Sequence, residues 1–214
     1  MKQILDPNDF VITRKRKKYR FAKFNNSTLC FEAQDWQKQS VDVIELGAGT
    51  GIFSVELATK YPNQQFVAID IKGDRLQKGA YEAQARQLKN IRFLRARADQ
   101  LEQLFPANSI NKLWLTFLDP YPKQRSSGRR LTHPTFLSIY QKLLAKKGAI
   151  YLKHDSADFF QWSLEQLVAQ SWHIVELSFD LHDSSLSNEY KIQTTYEQRW
   201  LGEGLVTKFV KAEK

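Results

Sequence analysis

The chain has few of the residues that several chemistries require. Its 214 residues include one cysteine, Cys30, and four histidines. A single thiol excludes an internal disulfide and a multi-cysteine zinc site, and it fits a reducing compartment. His133, His154, His173 and His182 lack metal-ligand spacing, so no metal is expected. His154-Asp155-Ser156 are the residue types of a hydrolase triad. Such triads are assembled in space, however, and no G-x-S-x-G elbow occurs. No stretch is apolar over the ~18 residues a membrane span needs. The first ten residues carry Asp6 and Asp9 instead of an apolar signal core. The expectation is a cytoplasmic protein with no membrane partner. Glycine (9) and proline (6) are too scarce for a flexible linker, and neither a repeat nor a low-complexity tract occurs.

What is present is positive charge. Lys and Arg number 32 against 23 Asp and Glu, a formal net charge of +9. A basic domain attracts polyanions. The charge is concentrated early, at Arg14, Lys15, Arg16, Lys17, Lys18 and Arg20, with Tyr19, Phe21 and Phe24 interleaved. Phosphates suit the charges and bases suit the rings, although a solvated tail is the plainer reading of a like-charge block. The chain divides into a basic N-terminal arm, 1–30, with flexibility left open, and one domain, 31–214.

The domain alternates strands and helices. β-rich runs are expected at 41–46, 65–69, 91–96, 110–117, 149–153 and 173–180, with a last strand near 194–200. Helices are expected near 52–60, 74–88, 134–144 and 157–170. A polar loop is expected at 183–188. This order predicts an α/β fold: a mostly parallel seven-stranded sheet, helices on both faces and an antiparallel edge pair.

The sharpest local signal is Glu45-Leu46-Gly47-Ala48-Gly49-Thr50-Gly51, at a strand end opening a helix. A dinucleotide loop, G-x-G-x-x-G, would place its third glycine at position 52; here it stands at Gly51. G-x-G-x-G after an acidic strand end resembles S-adenosylmethionine-dependent methyltransferases. Asp70 ends the second strand, where a carboxylate can accept both hydroxyls of a ribose. Asp99 follows the third strand, where a carboxylate is expected to reach an adenine edge, and Asp119 follows the fourth. Open α/β sheets bind ligands at these carboxyl ends.

Asp119-Pro120-Tyr121-Pro122 is a stiff turn, since each proline fixes its φ. It holds a carboxylate beside an aromatic ring, which suits a flat base with N–H donors on its edge; guanine has two. Lys123, Arg125, Arg129 and Arg130 follow and suit phosphates.

With these residues the sequence resembles the bacterial tRNA (guanine-N7)-methyltransferases. The family's glycine loop stands at 45–51 and its Asp-Pro-aromatic-Pro-Lys segment at 119–131. His154-Asp155 occupies the place of a Thr-Asp pair, and Thr194-Thr195-Tyr196-Glu197 that of the T-x-(F/Y)-E motif. Tyr121 stands where Trp is usual, Ser126 for His, His154 for Thr and Asp70 for Glu. The resemblance implies a Rossmann-like class I methyltransferase that transfers a methyl group from S-adenosylmethionine to N7 of a guanine in the tRNA variable loop. It implies a cofactor pocket of Glu45, Gly47, Gly49, Gly51, Asp70, Asp99 and Asp119, with Asp119 also catalytic. It implies substrate contacts by Lys123, Asp155, Thr194, Thr195, Tyr196 and Glu197. RNA phosphates would meet Arg125, Arg129, Arg130, Arg14 and Arg16. A monomer and a homodimer both fit. Two other classes stay open: a methyltransferase for a small molecule, a protein or another RNA, and a non-catalytic RNA-binding module on the same scaffold.

Overall fold

Hydrophobic periods of two and of 3.6 residues alternate along the chain and set its elements. The computed structural model describes residues 4–214. In chain order these form α1 (Lys15–Asn26), β1 (Cys30–Glu32), β2 (Val43–Leu46), α2 (Ile52–Lys60), β3 (Phe66–Asp70), α3 (Gly73–Ala85), β4 (Ile91–Arg95) and α4 (Leu101–Leu104). There follow β5 (Ile110–Thr116), α5 (Pro134–Leu143), β6 (Leu144–His154), α6 (Ala157–Ala169), β7 (His173–Ser178), α7 (Thr195–Leu201) and β8 (Lys208–Glu213).

The strands form one sheet in the order β1-β4-β3-β2-β5-β6-β8-β7. Pairs from β1 to β6 are parallel, and β8 lies antiparallel between β6 and β7. From β2 the chain winds through β3 to β4 on one side, then returns to β5 and β6 on the other. The direction reverses between β2 and β5, the point where open α/β sheets place their ligands.

Each face of the sheet buries its own apolar layer. On one, Ile44, Leu46, Val67, Ile69, Leu113, Leu115, Ile150 and Leu152 meet α4, α5 and α6. On the other, Val43, Phe66, Ala68, Phe93, Trp114 and Tyr151 meet α1, α2 and α3. Leu181, Leu186 and Tyr190 join this second layer. Within the loop expected to be polar, Asp183, Ser185, Ser187 and Asn188 are exposed and only Leu186 packs on the sheet.

Two expectations need correction. The sheet has eight strands, not seven, because Cys30–Glu32 adds a short strand beside β4, in register Cys30↔Phe93. Three residues are too few for alternation to reveal. The stretch 194–200 is not a strand; Thr195–Leu201 is helical and the last strand is Lys208–Glu213. The Thr194 hydroxyl accepts the Glu197 N–H, and the Glu197 carboxylate accepts the Thr194 N–H. This reciprocal cap starts a helix, and T-x-x-E is its sequence signature.

Of the basic segment 1–30, residues 1–3 lie outside the described residues. Residues 15–26 form α1, which packs on α3 through the fully buried Phe24. Among the described residues no helix is long and apolar enough to cross a membrane, and no group of three or more metal-ligating side chains gathers.

Candidate active site

The carboxyl ends of β2, β3, β4 and β5 open onto one cleft of about 930 Å³. The turn after β2 forms its floor. Gly47, Gly49 and Gly51 have φ of +76°, +56° and +72°, a region closed to most side chains. They differ in surroundings. A Cβ on Gly51 would sit 2.7 Å from the Phe93 ring, whereas one on Gly49 would meet nothing within 4 Å. Gly49 thus faces the open cleft as bare backbone. Gly51 is a packing glycine and does not line the cleft.

Asp70 pins this turn. Its Oδ2 accepts the Gly49 N–H and its Oδ1 the Lys72 N–H, both at 2.8 Å. Each oxygen keeps lone-pair capacity for a ribose hydroxyl. Burial raises the Asp70 pKa, and the two amides oppose that rise. Asp99, in a 3-10 turn after β4, is held by the Arg97 guanidinium at 3.0 and 2.8 Å, and this pairing lowers its pKa. Glu45 is the deepest acid. It accepts the hydroxyls of Ser54 at 2.6 Å and Thr116 at 2.7 Å. Desolvation still outweighs both bonds, and its pKa rises to about 7.

Asp119 stands exposed at the lip, directly beyond β5. Its turn is strained: Phe117 has φ +45° and Tyr121 φ +41°, so two non-glycine residues hold left-handed backbone around it. Two side chains clamp it. Arg130 Nε donates to the Pro120 carbonyl at 3.0 Å, and its Nη2 to the Tyr121 carbonyl at 3.0 Å. His154 Nδ1 accepts the Ser156 N–H at 2.9 Å, so the ring's proton lies on Nε2 and is donated to the Leu118 carbonyl, also at 2.9 Å. Burial lowers the His154 pKa, which favours this neutral tautomer.

Of the residues expected at the site, Glu45, Gly47, Gly49, Asp70, Asp99, Asp119, Arg129, Thr194 and Tyr196 share the cleft. Others stand elsewhere. Arg130 is buried under Trp162, its guanidinium carbon 4.4 Å from the ring centroid. The Glu197 carboxylate is fully buried and bonded within the protein. Asp155 lies beside the cleft, 3.4 Å from the Tyr196 hydroxyl. Lys123, Arg125, Arg14 and Arg16 are exposed outside the cleft lining. The side chain of Thr195 lies outside the described residues. Arg20, Arg75, Arg97 and Arg199 line the cleft although no motif marks them for it in the sequence. Only Arg20 carries a signal there, as part of the basic block.

A parallel sheet that reverses at its centre, with a glycine turn and four strand-end acids around one cleft, defines an α/β methyltransferase. A family model described as a putative methyltransferase matches residues 39–209. Among solved structures, the 16S rRNA methyltransferase KamB shares the fold at TM-score 0.61 and 15% identity, covering 84% of this chain and 89% of that one. The tRNA (guanine-N(7)-)-methyltransferase of Bacteroides thetaiotaomicron is 38% identical over 170 residues, which is 79% of this chain and 67% of the relative. That of Brevibacillus brevis is 32% identical over 161 residues, 75% of each chain. This chain belongs to the tRNA (guanine-N(7)-)-methyltransferase family.

Proposed function

We propose that this protein methylates N7 of a guanine in tRNA, at the variable loop, working in the cytoplasm as a monomer or homodimer. The observation that supports the reading is that Asp119 lines the same cleft as Gly49, Asp70 and Asp99.

The residues fit S-adenosylmethionine. The cleft volume suits a ligand of that size. Gly49 lets a ligand approach the backbone, and Asp70 retains acceptors for two ribose hydroxyls. Asp99 offers a carboxylate to the adenine edge. When bound, S-adenosylmethionine supplies an electrophilic methyl on a sulfonium.

Guanine N7 carries an in-plane lone pair and loses no proton on methylation, so no general base is required. Asp119 orients the base by accepting N–H donors from its edge, and its charge favours the purine as positive charge develops there. Phe117, Tyr121 and Tyr196 line the same lip and give the base apolar surfaces. Arg129 and the α1 basic residues meet the RNA backbone.

The test is methyl transfer from labelled S-adenosylmethionine to unmodified tRNA, with nucleoside analysis. The expected product is 7-methylguanosine. Asp119→Ala is expected to cut turnover far more than cofactor affinity. Label in another nucleoside, or loss of cofactor binding with normal turnover at saturation, would reverse the assignment.

A further inference from the structure

Glu197 is the last residue of the T-x-Y-E motif, yet its side chain is fully buried. Three other segments converge on it, besides the N-cap of its own helix. Its Oε2 accepts from Lys153 Nζ of β6 at 2.7 Å and from the Thr194 N–H at 3.0 Å. Its Oε1 lies 2.7 Å from His182 Nε2 and accepts from Thr207 Oγ1 at 3.1 Å. Lys153 is equally enclosed, and also donates to the Ile192 carbonyl at 2.8 Å.

We propose that Lys153 and Glu197 are positioning residues, a buried latch that sets helix α7 against the sheet so that Thr194 and Tyr196 face the target base. This rests on reading the cleft as the site of tRNA guanine methylation. A buried ion pair is a poor source of stability, because apolar replacements are often as stable. Its strength is geometric: three partners outside the helix, Lys153, His182 and Thr207, fix the depth and the rotation of α7. The neighbouring residues Thr194, Tyr196 and Arg199 line the cleft, while Glu197 points away from it. A direct bond from Glu197 to substrate would have to displace these internal partners.

The latch also abuts the cofactor side. Lys153 is in register with Thr116, whose hydroxyl bonds Glu45. Burial pushes the Lys153 ammonium toward its neutral form, and Glu197 and Glu45 oppose that push. One cation therefore lies between the acid under the glycine turn and the acid of α7.

The experiment compares Lys153→Met and Glu197→Gln with wild type in three measurements. Calorimetric affinity for S-adenosylmethionine is expected to stay within about twofold, and single-turnover methylation of saturating tRNA to fall about tenfold or more. Hydrogen exchange is expected to speed up at 195–201 while β2–β5 stay protected. The double variant is expected to be no slower than the slower single one. A wild-type rate with only a lowered melting temperature would reduce the pair to a structural role and overturn the proposal. So would a loss of cofactor affinity that accounts for the rate. If these variants do not fold, His182→Ala removes one partner from the more exposed end. A slower rate at unchanged cofactor affinity then supports the latch, and an unchanged rate overturns it. Failure of wild type itself to methylate tRNA guanine would instead remove the functional reading, and the exchange comparison would still judge the latch.

Discussion

Arg130 reaches back nine residues to donate through Nη2 to the backbone carbonyl of Tyr121, at 3.0 Å. Tyr121 needs that hold, because its φ of +41° is unfavourable for a residue with a Cβ. Asp119 sits two residues earlier, so its aim depends on a guanidinium that touches no ligand itself.

Arg130→Lys keeps the charge and loses the fork that spans two carbonyls. Turnover is expected to fall about 10- to 100-fold, as small misplacements of an orienting group can cost that much. The salt dependence of tRNA binding is expected to stay as in wild type, since Arg130 is buried. Filter binding over a salt series, beside single-turnover rates, separates the two effects. A reduced salt slope with normal turnover would return Arg130 to the phosphate-binding role expected from its sequence context.

The opposite holds for the basic end of α1. Lys15, Arg16, Lys17 and Lys18 crowd its first turn, where no acidic residue and no side-chain cap offset the helix dipole. An RNA phosphate would relieve that repulsion. Neutralising Arg14 to Lys18 is expected to lower the salt slope of tRNA affinity by roughly 0.7–0.9 for each phosphate that no longer meets a cation. An unchanged slope would leave this turn a solvated face of the protein.

The three glycines of the turn after β2 are expected to separate by substitution. Gly49→Ala meets open space and carries backbone strain of about 1–2 kcal/mol. It should fold, with weakened cofactor affinity as its methyl enters the cleft. Gly51→Ala brings its methyl to 2.7 Å from Phe93, and Gly47→Ala to 2.8 Å from Leu118. Both are expected to destabilise the fold more than Gly49→Ala does. Melting temperatures and calorimetry on the three variants check this order.

Glu45 makes stability depend on pH. Its folded pKa of about 7 lies above its ordinary value of 4.5, so the folded state holds that proton more tightly. The stabilisation is complete below about pH 4.5 and is lost as pH rises through about 7. Glu45→Gln removes the titration. Relative to this variant, wild type is expected to lose roughly 3 kcal/mol between pH 4.5 and pH 8. Urea midpoints for both proteins across that range measure it; parallel curves would show that Glu45 stays ionised.

Most strands and helices between 41 and 178, the glycine turn and the acids at strand ends were legible in the sequence, because each is a local pattern; β1, α1, α4, α7 and β8 were not. Periodicity sets the element, and spacing separates G-x-G-x-G from a dinucleotide loop. Tertiary structure decided which charges face water. Arg129 and Arg130 are adjacent and alike in sequence, yet one lines the cleft and the other lies beneath Trp162. Tyr196 and Glu197 divide in the same way between cleft and interior. Burial is set by partners far along the chain: Trp162 and Pro120 for Arg130, Lys153 for Glu197. Helix α7 shows the same division. Its capping signature was present in Thr194 and Glu197, but its place over the end of β6 depends on an ion pair spanning 44 residues. Local chemistry determined the elements and the donor set, while long-range packing assigned each charged group to ligand or to scaffold.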